Sequence, residues 1–356
     1  MHEINKLLEK RILILDGAMG TMIQRHSLSE DDFRGDKFKS HSHPLKGNND
    51  LLSITKPNII KDIHAQYLEA GADIIETNTF SSTSIAQADY KLSSLVYDLN
   101  YQSAKIAKEV AKIFTDKSPQ KPRFVAGAMG PTNKTASISP DVNDPSKRGT
   151  TFDELRDVYY EQAVALIDGG VDILLVETIF DTLNAKAALF AIQHLLSERN
   201  LKVPIMVSGT ITDASGRTLS GQTVEAFLYS MMHVDLLSIG FNCALGAKLL
   251  RPLIVEISDK ATFFISAYPN AGLPNEFGEY DETPETTAAQ IKEYLEEGIV
   301  NLIGGCCGTT PAHIKELANL AKNYAPRKIP VRERLPKFSG LDGVTIFKGS
   351  NFVNVG

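Results

Sequence analysis

The sequence has no apolar run approaching the roughly 20 residues that a membrane-spanning helix needs. Its first residues, MHEINKLLEKR, are charged and amphipathic instead of forming the apolar centre of a signal peptide, so a cytoplasmic protein is expected. Concentrated positive charge is also missing. The 37 basic and 43 acidic residues leave a net charge of −6 with no basic block, which argues against nucleic acid and for a small-molecule partner. Cysteine is scarce, at three in 356 residues; in a reducing compartment three do not make a disulfide framework, so their positions carry information. With 43% hydrophobic and 22% charged residues, 25 Gly and 16 Pro, the composition excludes collagen and disorder and fits one large domain or two modest ones.

Eight short β-branched runs recur along the chain, each closed by Gly, Asn, Thr or Glu: 11–17, 73–80, 124–130, 172–179, 204–211, 236–243, 263–270 and 300–307. Near-continuous apolar runs are what parallel strands buried on both faces look like. Stretches with helical periodicity separate them, at about 57–70, 84–115, 152–169, 181–198, 222–233, 245–258, 284–297 and 311–323. Asp181 precedes one helix as a capping residue, and Pro284 and Pro311 stand in the first turns of two others. Strand then helix, repeated eight times, predicts an α/β fold of the (β/α)8 TIM-barrel type. A doubly wound sheet is the runner-up, but no GxGxxG opens a helix after the first strand. The barrel is expected to occupy residues 1–325, followed by a Pro- and charge-rich linker at 326–343 and a new β-like run at 344–356 that starts a further domain.

A barrel of this kind does its chemistry at the C-terminal strand ends and the loops that follow. Those ends carry Asp16 with the GAMGT loop (Gly17, Ala18, Gly20, Thr21), Glu76 and Asn78, Gly127 to Gly130, Glu177, Ser208, Asn242 with Cys243, Tyr268 to Asn270, and Cys306 with Cys307. All three cysteines are there, on the sixth and eighth strands, one strand apart on the same rim. Long loops at 24–55 and 131–151 on that face are candidate lids or docking surfaces. Three convergent thiols suit zinc, and three protein ligands leave one position open. Adjacent cysteines reach one metal only where the backbone leaves the pleat, which Gly304, Gly305 and Gly308 permit. Three unconnected core cysteines, or a redox-active vicinal pair, remain competing readings. An open zinc position would take a substrate thiol and hold it as the nucleophilic thiolate, ready to accept a methyl group.

The segments GFNCALG and GGCCGT, with LDGAMGT, KGNNDLLSITKP, ETNTF and YPNAGLPN, resemble the homocysteine-binding barrel of cobalamin-dependent methionine synthases, within the zinc-dependent homocysteine S-methyltransferase family. The resemblance spans about residues 10–325. The run SNFVNVG resembles the first strand of the folate-binding barrel that follows in those enzymes. The resemblance implies zinc on Cys243, Cys306 and Cys307, homocysteine as methyl acceptor, and methylcobalamin as donor. It also implies cobalamin- and folate-binding modules as partners in the same full-length protein. Relatives that use betaine or S-methylmethionine share the cysteines, and a structural-zinc or thiol-sensing module is a rival from another class.

By the family pattern, Asp16 and Glu177 receive the homocysteine ammonium; helix capping is the competing role, and Glu76 is a third candidate. The GAMGT backbone can present N–H groups to the carboxylate, or it is a tight turn. Ser208 is a weaker candidate of the same kind. Asn270 can complete the zinc shell when substrate is absent, or shape a turn. His41 and His43, in a polar loop, are expected to be solvated, and Met19 and Met129 to fill core.

Overall fold

The computed structural model describes residues 2–212 and 215–354. Eight parallel strands, β1 (Leu13–Ile14), β2 (Ile74–Glu76), β3 (Phe124–Met129), β4 (Ile173–Ile179), β5 (Ile205–Gly209), β6 (Ser238–Gly246), β7 (Phe264–Asn270) and β8 (Leu302–Ile303), pair in the order β1-β8-β7-β6-β5-β4-β3-β2. A parallel bridge from Leu15 to Ile74 joins the two ends of that order. The Asp73 N–H to the Ile14 carbonyl (2.8 Å) and the Asp16 N–H to the Ile74 carbonyl (3.0 Å) complete the closure. The fold is a (β/α)8 barrel.

Each strand lies where an apolar run predicts it. β1 and β8 are shorter than their runs, because the glycine-rich stretches GAMGT and GGCC bend away from the sheet. The alternation along the strands divides the core in two. Leu13, Leu15, Ile74, Ile173, Leu175, Met206 and Phe264 fill the lumen, whose N-terminal mouth is plugged by Ile4 and Leu8 from the short helix Glu3–Leu8. Residues of the other parity pack outward against the helices. Continuing the inward parity to the C-terminal rim leads to Glu76, Glu177, Ser208, Asn242, Tyr268 and Asn270, of which Glu76, Glu177 and Tyr268 line the rim cavity.

The ring helices are α1 (Pro57–Ala70), α2 (Val96–Lys117), α3 (Phe152–Gly169), α4 (Thr182–Glu198), α5 (Val224–Met231), α6 (Ala247–Lys260), α7 (Pro284–Glu296) and α8 (Pro311–Ala321). Local chemistry sets their starts. Thr151 and Glu154 form a capping box on α3, Asp181 accepts from two N–H groups of α4, and proline opens α1, α7 and α8. The single helix expected over 84–115 is broken: a four-residue helix, Ser84–Gln87, passes into a 3-10 turn, Ala88–Tyr90, that ends where Lys91 turns left-handed (φ 55°), and α2 starts only at Val96. The Asn48–Gln87 amide pair (2.8 and 3.3 Å) holds the break to the rim.

The segment beyond α8 packs back onto the barrel. The buried Arg327 guanidinium donates to the carbonyls of Ala261 (2.7 Å) and Phe263 (3.0 Å). β9 (Lys337–Ser339) and β10 (Gly343–Thr345) form an antiparallel hairpin that the Ser339–Ser230 (2.6 Å) and Thr345–Tyr229 (2.7 Å) hydroxyl contacts seat on α5. The expected boundary at 343/344 therefore falls inside one hairpin. Residues 351–354 form no strand, and the last two positions of the expected β-run lie outside the described residues.

Candidate metal centre and active site

The rim holds a cavity of about 880 Å³ whose walls include all three cysteines, Asp16, Glu76, Glu177 and the Gly17–Thr21 loop. The sulfurs of Cys243, Cys306 and Cys307 lie within 4.8 Å of one another, and those of Cys243 and Cys307 are 3.8 Å apart. Tetrahedral bonds of about 2.3 Å from zinc to sulfur set neighbouring sulfurs roughly 3.8 Å apart, so one ion fits between them. The chain leaves the pleat at both cysteine-bearing ends. Cys243 (φ 60°) and Ala244 (φ 57°) are left-handed within a register shift between Asn242 and Gly246, and β8 has already ended at Ile303 before Cys306. Gly308 turns with φ 80°, and a Cβ there would lie 2.3 Å from the Cβ of Tyr280. At Gly305 the need is for space: a Cβ would meet Thr309 at 2.4 Å.

Without a metal the three thiols share their charge. Hydrogen bonds from Cys243 and Cys306 pull Cys307 down to about 3. Cys306 is raised by its hydrogen bonds to Cys243 and Cys307 and by burial. At Cys243 a hydrogen bond with Cys306 lowers the thiol, but the contact with Cys307, burial and the Cys307 charge outweigh it and leave it at about 11. A cation placed among the sulfurs removes this conflict. Beside them, Asn270 is 2% exposed and its side-chain oxygen has no hydrogen-bond partner. Its neighbours bind the cysteine loop directly, through Cys306 N–H to the Pro269 carbonyl (2.8 Å) and Ala271 N–H to the Cys307 carbonyl (2.9 Å). The three convergent thiols are a donor set suited to a thiophilic metal.

The opposite wall is acidic. Burial raises Asp16 well above the usual carboxylate range, and the Glu76 charge adds to it. Burial carries Glu76 to about 7. Glu177 is raised well above its ordinary value by burial, then by the charges of Glu76, Asp16 and Cys307. Asp16 spends one oxygen on the Glu76 N–H (3.0 Å), and no cation offsets the trio among the described residues. Three carboxylates crowded together without a counter-ion are a charge arrangement that a cationic group would relieve. Arg25, exposed at the mouth, is the cationic side chain of the cavity wall.

The GAMGT loop is built into this site. A Cβ at Gly17 would lie 2.8 Å from both Thr309 Oγ1 and Tyr67, whereas Gly20 has room for one. The Ala18 N–H donates to Thr309 Oγ1 (3.2 Å), so that group is spent within the protein, and Thr21 Oγ1 accepts from the Gly308 N–H (3.0 Å), tying this loop to the cysteine turn. Ser208 and Asn242 stand behind the cavity wall, bonded to each other (2.7 Å). The 24–55 loop folds onto the rim: Asn78 donates to the Asn49 carbonyl (2.8 Å), and Asp50 accepts from Ser81 N–H and Ser82 Oγ (2.8 Å each). Among the described residues, the 131–151 loop contributes none to the wall. His41 is half-buried, its ring against the Tyr90 carbonyl (2.9 Å), where solvation is expected from sequence. Met129 is core, and Met19 both packs on the core and lines the cavity.

Several residues of the site carry no signal in the reading by strand ends. Tyr280, on the loop after β7, stands over Gly308 at the cysteine turn. Thr178 is left-handed (φ 54°), which is rare for a β-branched residue. Tyr67 donates toward the Ala18 and Thr309 carbonyls (3.1 and 3.2 Å) from α1. Tyr268, by contrast, is among the residues that the reading by strand ends already names; it lines the cavity from an inward position of β7, and its hydroxyl is buried without a partner.

One family model, homocysteine S-methyltransferase, matches residues 13–321. Among solved structures the fold is similar to the metallated form of the homocysteine methyltransferase MmuM from Escherichia coli, at 21% identity over 88% of this chain and 98% of that chain with a TM-score of 0.67. The oxidized form of the same protein matches at 21% identity over 88% and 97% with a TM-score of 0.67, and the apo form at 21% over 88% and 97% with 0.61.

Proposed function

Because the chain belongs to the homocysteine S-methyltransferase family, we propose that its rim cavity binds zinc at Cys243, Cys306 and Cys307 and methylates homocysteine, with methylcobalamin as donor. The observation that carries this reading is the pairing, inside one cavity, of a three-sulfur donor set with an uncompensated carboxylate trio. A substrate that answers both features carries a thiol and an ammonium. Zinc bound by the three sulfurs supplies an open position that keeps the substrate sulfur deprotonated at neutral pH. The Asp16, Glu76 and Glu177 carboxylates receive the substrate ammonium and so fix the direction in which the sulfur points. Asn270 would offer its unpartnered side-chain oxygen to the metal while no substrate is bound. Methyl transfer from methylcobalamin would break its cobalt–carbon bond, leaving that electron pair on cobalt, while a lone pair of the thiolate forms the new carbon–sulfur bond of methionine.

The donor reading is supported by the likeness of the segments flanking the cysteines, and of SNFVNVG, to cobalamin-dependent methionine synthases. On that reading the segment after α8, including the β9–β10 hairpin packed on α5, leads from the barrel toward a folate-binding module. The test is a donor panel. Zinc-loaded protein, L-homocysteine and excess free methylcobalamin should give methionine slowly, because an untethered donor lacks the effective concentration of a linked one. Turnover with S-methylmethionine or betaine instead would assign the protein to the relatives that use those donors. Stoichiometric zinc whose coordination homocysteine does not change would make the site structural.

A further inference from the structure

We infer that Asn242 is a positioning residue that ties the metal-site sulfur of Cys306 to the turn carrying Glu177, and so sets metal affinity and substrate orientation together. Its side chain is fully buried, and each of its hydrogen-bonding positions is taken. Nδ2 donates to Thr178 Oγ1 at 2.8 Å and reaches Cys306 Sγ at 3.9 Å. Oδ1 accepts from the Thr178 N–H at 3.1 Å and from Ser208 Oγ at 2.7 Å. Because the oxygen faces two donors, the amide is fixed in one orientation and its remaining N–H points at sulfur. No valence remains for a ligand, so Asn242 acts through Cys306 and Thr178 and not by touching the substrate.

The clamp has two arms with separate consequences. Toward Cys306, an N–H aimed at sulfur favours the thiolate and fixes the sulfur's place among the three, as groups behind metal ligands generally do. Toward Thr178, two hydrogen bonds to one residue hold a left-handed conformation that a β-branched side chain disfavours. That turn sits in the register shift between Val176 and Ile179 on β4, and it immediately follows Glu177. Release of Thr178 therefore frees the carboxylate next to it. Ser208 only orients the amide.

The experiment measures zinc affinity by competition with a chromophoric chelator, and binding of L-homocysteine and of 4-mercaptobutyrate, which lacks the amino group, to zinc-saturated protein. Asn242→Asp removes both donors while keeping the shape; zinc affinity should fall at least about tenfold, within the range seen when such supporting groups are lost. Thr178→Val keeps the branched shape and removes the hydroxyl arm. It should weaken homocysteine at least fivefold, leave 4-mercaptobutyrate within twofold, and leave zinc affinity within twofold. Zinc affinity within twofold of the parent in Asn242→Asp would overturn the sulfur arm, and equal losses of the two thiols in Thr178→Val would overturn the other. If Asn242→Asp does not fold, Ser208→Ala replaces it, with a smaller loss of zinc affinity expected and none refuting the clamp. The homocysteine arm rests on the function proposed above. A parent protein that binds zinc but no homocysteine would refute that function and leave the zinc measurement to decide the role of Asn242.

Discussion

Glu177→Gln should weaken homocysteine and stabilise the ligand-free protein at once. Glutamine keeps the shape of the side chain and removes one charge from a trio that burial and mutual repulsion already strain. In the ligand-free cavity that removal relieves repulsion. In the complex it deletes a charge-assisted hydrogen bond worth about 1.5–3 kcal/mol, which at about 1.4 kcal/mol per tenfold raises the homocysteine Kd roughly 10- to 150-fold. The assay is a calorimetric titration of zinc-loaded protein at pH 7.5 with L-homocysteine and with 4-mercaptobutyrate, beside a thermal melt without ligand. The expected pattern is a large loss for homocysteine, no loss for the amino-free thiol, and a higher Tm. Equal losses for both thiols, or unchanged homocysteine affinity, would show that Glu177 does not meet the ammonium.

The same groups set a pH dependence whose sign follows from the direction of their shifts. A carboxylate raised on folding binds more protons in the native state than in the unfolded one. Its contribution therefore declines as pH rises from the ordinary glutamate value of 4.5 toward the value of about 7 at Glu76. Ligand-free stability should fall across that window, and Glu177→Gln should flatten the fall. Homocysteine binding runs the other way, since its ammonium needs ionised partners. The ratio of homocysteine to 4-mercaptobutyrate affinity should drop as pH falls below about 7; a ratio flat from pH 5 to 8 would refute the carboxylate assignment.

Elements with local causes are legible in the sequence. Pro57–Ala70 and Phe152–Gly169 match the periodic segments residue for residue, because proline opens the first and a capping box the second. The strands are legible because lumen and outer faces are both apolar, and the cysteines because all lie on strand ends. What was hidden depends on partners far apart in the chain. The amide of Asn242 meets Thr178 and Cys306, each 64 positions away, and leaves no mark on the sequence around any of them. The break after Gln87 is of the same kind: its helical periodicity is real, but the amide of Asn48, 39 residues earlier, holds the chain in another path. Parity along the strands is a further signal in the sequence. Counting inward from Ile173 reaches Glu177, and from Ile74 reaches Glu76, which ranks both carboxylates by position alone.

Alanine at Cys243, Cys306 or Cys307 should each abolish stoichiometric zinc, read by metal analysis after gel filtration, with the far-UV circular dichroism unchanged because the barrel core lies below the rim. Asn270→Ala should weaken zinc in ligand-free protein and leave it unaffected once homocysteine is bound; equal weakening in both states would remove Asn270 from the metal shell. Gly308→Ala tests the turn that brings the cysteines together. Left-handed backbone costs a residue with a Cβ roughly 1–2 kcal/mol, and the new methyl would stand 2.3 Å from the Cβ of Tyr280, an atom next to backbone that cannot swing aside. Either the turn with Cys306 and Cys307 or the loop with Tyr280 must move, and the Gly308 N–H that Thr21 accepts (3.0 Å) moves with it. Zinc affinity should therefore fall by more than tenfold while the circular dichroism persists, and Tyr280→Gly in the same chain should recover part of it by removing the clash. Retention of the parent zinc affinity by Gly308→Ala alone would show that the turn tolerates a side chain and that the sulfurs do not depend on it.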